Sequence, residues 1–263
     1  DSSGGLTFGG GTLNTTATMT MARDVTLNSG GGTFNTDSGT TLTETNVISG
    51  TGALTKSGDG TLALTSANTY SGGTTLGAGT ILIGNASALG TGTLTVTSGT
   101  LSSSDTTKYT LANNVTLNGD IILGQTGTGA LYLSGTVTLA SGMRTITVNN
   151  DYDRITGKIT GSGGIIKDGD GILSLRSSES DYTGGIVIKG GTLAGTTNNI
   201  LGNVAVSKNT FIGFDQDFNG TYAGSISGEG GLVKRDTGTV TLTGDSTYTG
   251  TTRIDDGTLQ ISK

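Results

Sequence analysis

Residues 48–83 read ISGTGALTKSGDGTLALTSANTYSGGTTLGAGTILI. The same plan returns at 159–195, ITGSGGIIKDGDGILSLRSSESDYTGGIVIKGGTLAG, and at 226–262, ISGEGGLVKRDTGTVTLTGDSTYTGTTRIDDGTLQIS. Lys56, Lys167 and Lys234 each follow an apolar-rich start. Tyr70, Tyr182 and Tyr248 come 14, 15 and 14 residues later. Two positions on stand Gly72, Gly184 and Gly250, and ten positions after each Tyr come Thr80-Ile81, Thr192-Leu193 and Thr258-Leu259. Self-similarity of this kind is the mark of a chain built from stacked structural repeats.

Outward from these repeats the texture is uniform. In Gly92-Thr-Leu-Thr-Val-Thr97 the apolar Leu94 and Val96 alternate with threonines. Thr239–Thr243, Ala130–Leu133 and Thr145–Val148 alternate in the same way. A period of two places apolar side chains on one face of a strand and hydroxyls on the other. Gly-Gly, Ser-Gly, Asn-Gly and Asp-Gly pairs punctuate these runs as turns. No window has the 3.6-residue period and good helix formers that a helix needs. Short strands with frequent turns leave a sandwich, a barrel or a solenoid, and the repeats select the solenoid. The spacing leads us to expect one elongated rod over residues 1–263, with repeat units near 48–83, 159–195 and 226–262. At about 20 residues per coil and ~4.8 Å per strand step, the rod is about 60 Å long.

Composition narrows the function. Gly and Thr together supply 102 of 263 residues, and Pro, Cys, Trp and His are absent. Without His there is no Ser-His-Asp or Cys-His catalysis and no imidazole ligand. Without Cys there is no disulfide, thiolate zinc site or iron–sulfur cluster. A net charge of −6 with scattered basic residues gives no patch for nucleic acid. No stretch approaches the ~18 apolar residues of a membrane-spanning helix, and the opening DSSGGLTFGG is not a signal peptide. Charge is uneven: residues 1–140 hold 10 of the 34 charged side chains.

The anchors of the three segments make a specific pattern: a Gly-rich opening, Leu-x-Lys, a Gly-Asp-Gly turn, an alternating strand, Asn-Thr-Tyr-Ser-Gly, then Gly-Gly-Thr-Leu. This pattern resembles the passenger-associated transport repeat of Gram-negative autotransporters. The second segment departs from it at Ser178–Asp181, with one extra residue before the Tyr, and the third has Asp236-Thr-Gly238 for the turn. The resemblance implies an all-β, right-handed parallel β-helix, secreted and displayed outside the cell or on the Gram-negative outer membrane through a β-barrel absent from this chain. It implies a non-enzymatic adhesin, self-association or host-interaction scaffold, with virulence-type partners: host cell-surface or matrix molecules, or another copy. No cofactor and no metal are expected. In this reading Lys56, Tyr70, Gly72, Lys167, Tyr182, Gly184, Lys234, Tyr248 and Gly250 are structural anchors.

Each anchor carries a plain expectation. The recurring Lys is expected at a solvated edge, its stem covering apolar surface. The recurring Tyr is expected at a corner with its hydroxyl at the surface. Asp59 and Asp170 are read as turn residues accepting nearby backbone N–H groups rather than as calcium ligands. Two alternatives stand beside the scaffold. The first is a polysaccharide lyase or hydrolase. Asp151/Asp153 and Asp215/Asp217, each two apart, would share a strand face and could serve as acid and base, with Arg154, Lys158 or Lys208 nearby. The second is a head-to-tail filament or stalk, since Gly5–Phe8 and Gly257–Ile261 read as strands with no cap. Ranks such as Thr93/Thr95/Thr97 and Thr239/Thr241/Thr243 could order water. The coils between them do not keep one Thr-x-Thr register, which argues against a flat array.

Overall fold

The computed structural model describes residues 4–262; Asp1–Ser3 and Lys263 lie outside the described residues. Every element among the described residues is a strand, none longer than Met143–Val148. Successive strands pair in parallel with the strand one coil away, so the chain is an all-β, parallel β-solenoid. Thr and the aliphatics favour this arrangement because branched side chains stack well on their like in neighbouring strands. The chain divides into two compact units, residues 1–136 and 137–263.

In the first unit one sheet runs through Thr12–Thr15, Gly32–Thr36, Leu54–Ser57, Thr74–Leu76, Leu94–Val96 and Val115–Leu117. A second runs through Met19–Met21, Thr41–Glu44, Thr61–Leu64, Thr80–Ile83, Thr100–Ser103 and Ile121–Leu123. Inward positions stack in columns. Leu54, Thr74, Leu94 and Val115 form one, and Leu42, Leu62, Ile81 and Leu101 another. The aliphatic members are buried, at about 1.5–3 kcal/mol of burial free energy each, and Thr74 is buried with its hydroxyl hydrogen-bonded.

The second unit repeats the logic. Its longest sheet passes through Tyr152–Ile155, Ile172–Leu175, Thr192–Gly195, Phe211–Asp215, Gly231–Arg235 and Thr252–Ile254. Leu173, Leu193, Ile212 and Leu232 make its inner column. The Tyr222 ring closes on Phe214 with centroids 5.2 Å apart.

Candidate functional site

The three repeat lysines are not at a solvated edge. Lys56, Lys167 and Lys234 are fully buried. In Leu54-Thr55-Lys56 the alternation that turns Leu54 inward turns Lys56 inward too. Lys56 stands in an inner column between Phe34 and Leu76, Lys167 between Ile146 and Ile188, and Lys234 between Phe214 and Ile254. Only a hydrogen-bonded ammonium is tolerable there, and the following turn supplies the acceptors. Lys56 Nζ donates to the carbonyls of Ser57 (2.7 Å) and Gly58 (2.7 Å), and to Ala78 of the next coil at 3.3 Å. Lys167 does the same with Asp168 (2.7 Å), Gly169 (2.8 Å) and Gly190 (3.1 Å). Lys234 does so with Arg235, Asp236 and Asp256 at 2.5, 2.6 and 3.5 Å. Each lysine is therefore a clamp that closes its own turn and ties it to the coil that follows.

Burial pushes the Lys56 and Lys167 amines down to about 8, against the pull of Asp59 on one and Asp168, Asp170 and Asp153 on the other. The three carbonyl dipoles around each nitrogen favour the charged form. Both clamps are thus charged at neutral pH.

The turn itself needs a left-handed residue. Gly58 and Gly169 have φ of 71° and 76°, and in the third repeat Asp236 adopts 62°. Asp is among the few non-Gly types that enter this region at modest cost. Asp59 and Asp170 follow these positions and are exposed. Neither makes the expected bond to nearby backbone. That bond is made instead by Asp168, whose carboxylate accepts from Gly169 N–H at 2.8 Å.

Two of the three tyrosines also sit deeper than expected. Tyr70 and Tyr182 are buried; Tyr248 is half-buried. The Tyr70 hydroxyl meets Thr74 Oγ1 at 2.5 Å, and Thr74 in turn donates to Leu89 O. Tyr182 donates to Asn199 O (3.1 Å) and accepts from Leu201 N–H (3.0 Å). Burial raises the Tyr182 phenol to about 12. Tyr248 keeps the same local bond, to Thr252 Oγ1 at 2.6 Å. Gly72, Gly184 and Gly250 mark corners where neighbouring coils touch. A Cβ would lie 2.3 Å from Gly52 C at Gly72, 2.2 Å from Gly164 N at Gly184, and 2.3 Å from Gly230 O at Gly250.

A further recurring group escaped the sequence reading. Asn68, Ser180 and Ser246, each two residues before the Tyr, accept the N–H of Ile48, Ile159 and Ile226 in the preceding coil. The signal was present as the polar residue of Asn-Thr-Tyr, but Ser replaces Asn twice.

The two members of each acidic pair sit in different surroundings. Asp151 precedes its strand and is exposed, whereas Asp153 is buried and accepts from Asn150 Nδ2 at 3.0 Å. Asp215 is held between two guanidiniums, Arg176 at 3.4 Å and Arg235 at 3.2 Å, and Asp217 lies beyond the strand end. Arg235 continues the ladder to Asp255, which Arg253 also grips at 2.8 Å. Asp215 and Asp217 do line one shallow groove of about 480 Å³ with Arg176, Gln216, Asp236 and Asp256. Lys158 is instead paired with Asp181 at 2.6 Å. Among the described residues no group of three or more acids is arranged to hold a metal ion.

The comparisons with known proteins fall on the same three segments. The family model described as passenger-associated-transport-repeat matches residues 54–83, 165–194 and 232–261. These are passenger-associated-transport repeats. Each matched segment opens just before the clamp lysine and closes on the strand after the Tyr-Gly corner. Each matched segment thus contains the clamp lysine, the repeat tyrosine and the corner glycine that tie one coil to the next. The chain is also similar to a protein named adhesin BmaC autotransporter, from Brucella suis biovar 1 (strain 1330), at 35% identity over 151 residues. That match covers 56% of this chain and spans 4% of the relative's length. No solved structure matches.

Proposed function

We propose that the chain is a segment of an autotransporter passenger, exported to the surface of a Gram-negative cell, where the whole of residues 1–263 acts as a non-enzymatic adhesive scaffold. The observation that carries this reading is the fate of the repeat anchors. Lysines, tyrosines and glycines at recurring positions are spent on joining coils, so binding falls to the outer faces. The adhesin name of the relative supports the same output. Partners are host cell-surface or matrix molecules, or a second copy.

A polysaccharide-cleaving role is disfavoured by the Arg–Asp215–Arg pairing, which commits one candidate acid to structure. The test uses the purified chain coupled to beads. Beads should adhere to cultured epithelial cells or to matrix-coated wells, and Asp217→Asn should leave that adhesion unchanged. Release of reducing ends from acidic polysaccharides, abolished by Asp217→Asn, would overturn the reading.

A further inference from the structure

Phe218 is the sole exposed aromatic side chain among the described residues. It stands in the turn after Phe211–Asp215, on the wall of the shallow groove that Asp215 and Asp217 also line. The turn is fixed from below. Gln216 is buried, its Oε1 accepts Thr197 N–H at 2.8 Å, and its Nε2 donates to Phe218 O at 3.0 Å. Gly238 N–H of the next coil donates to Gln216 O at 3.1 Å. A Cβ at Gly238 would strike the Phe218 backbone. Both neighbouring contacts thus hold the Phe218 backbone in place while its ring stays outside.

Polar groups left over from the fold line the same groove. Asp215 is spent on Arg176 and Arg235. The carboxylates of Asp217 and Asp236 are exposed and make no hydrogen bond within the described chain. Asp256 gives one carboxylate oxygen to Gly257 N–H and keeps the other. Lys234 pairs with Ile254, so Asp236 and Asp256, two residues on, stand one strand step of about 4.8 Å apart along the backbone stack. Arg176 commits N–H groups to Ser174 Oγ, Asp215 O and Asp215 Oδ2, which leaves about two of a guanidinium's five donors over. Acceptors, donors and one apolar ring therefore line a single groove.

We propose that this groove binds neutral glycans of an opposing surface, with a hexose ring stacked on Phe218 and its hydroxyls on Asp236, Asp256 and Arg176; it rests on the adhesive reading above and names the ligand class. A sugar hydroxyl both donates and accepts, so neighbouring hydroxyls satisfy a carboxylate and a guanidinium together. The C–H face of the sugar is apolar and covers the phenyl ring. A sulfated or carboxylated glycan would meet the free carboxylates. A basic peptide would meet Arg176, and behind Asp236 the ammonium of Lys234. Asp215 stays tied to its arginines, so the role is retention of a glycan, not cleavage. The groove is shallow: one site binds weakly, and an array of sites on a surface binds firmly.

Glycan retention tests this. The biotinylated chain should be held, at physiological salt, by at least one immobilised neutral oligosaccharide ending in glucose, galactose or mannose, with heparin and polylysine as charged controls. Phe218→Ala should lower that retention about tenfold, and Phe218→Trp should preserve it. Thr237→Arg, an exposed change in the groove lining, should block retention whether or not Phe218→Ala folds, and thermal melts identify the folded variants. Asp217→Asn keeps an acceptor oxygen and should bind as wild type. No retention on any neutral oligosaccharide, retention that survives Thr237→Arg or a folded Phe218→Ala, or retention on heparin or polylysine alone would each overturn the proposal; the last would mark the groove as a plain ionic site. Wild-type beads that adhere to epithelial cells but bind no neutral oligosaccharide overturn it while leaving the adhesive reading intact.

Discussion

At the scale of single residues, the molecule is defined by ionisable groups placed inside it. Lys56 donates to three backbone carbonyls. Replacing it with Met takes the donor from three half-buried carbonyls, at a cost of about 3 kcal/mol. Urea unfolding should show that loss, with faster hydrogen exchange of the Ser57–Gly60 amides; an unchanged midpoint would show the clamp to be idle. Glu44 is the second case. It stacks inward between Met21 and Leu64, its Oε1 accepts Asn46 N–H at 2.9 Å, and its Oε2 is buried without a partner. Burial raises its carboxyl to about 7, with Asp24 adding to the rise and the Asn46 and Thr45 backbone opposing it. The folded chain therefore holds a proton that the unfolded chain has released. This contribution is fully present below the ordinary carboxylate range and is lost as pH climbs through 7. The loss amounts to roughly 3 kcal/mol. Urea midpoints should fall between pH 5 and pH 8 for the wild type and stay nearly level for Glu44→Gln. Both placements were legible: Leu54-Thr55-Lys56 and Leu42-Thr43-Glu44 put the charged residue on the apolar face by simple alternation. A charged side chain is ordinarily solvent-facing, so alternation alone does not announce a buried lysine.

At the scale of elements, alternation in the sequence translates directly into strands, since Leu94/Val96 and Val240/Leu242 point inward as their spacing demands. Strand ends are harder to read. Asp151 and Asp153 look like one face until the strand is seen to begin at Tyr152. Asp215 faces outward because Phe214 claims the interior, and its two arginines come from Arg176 and Arg235 in other coils, beyond the reach of any local pattern. The corner glycines are set by close approach rather than by turn geometry. Gly72→Ala would push a methyl into the Gly52 backbone, where neither side can yield, and should destabilise by about 2–3 kcal/mol. Gly11→Ala, with open space around its Cβ, should change stability by less than about 0.5 kcal/mol. Thermal melts of the two variants check the contrast, and equal melts would refute the packing argument.

For the molecule taken whole, repeat recurrence was enough to predict stacked coils, because no single coil buries its own apolar face. The outer surface was not legible in the same way. Thr12, Thr33, Thr55, Thr75, Thr95 and Thr116 lie 20 to 22 residues apart. Turns of unequal length hide this outward column from any fixed-period reading, while backbone pairing restores it in space. Stability in such a stack is close to a sum of coil and neighbour contributions. The passenger repeats, with their lysine clamps, tyrosine bonds and glycine contacts, strengthen those neighbour contributions. Adhesion, as proposed, falls to the outer faces of the coils, those within the repeats included. The direct test is adhesion of beads coated with the folded chain to epithelial cells, to matrix and to one another, with uncoated beads as reference. Adhesion to at least one of these, surviving Asp217→Asn, is the predicted result. Folded chain that adheres to none of them would contradict the account.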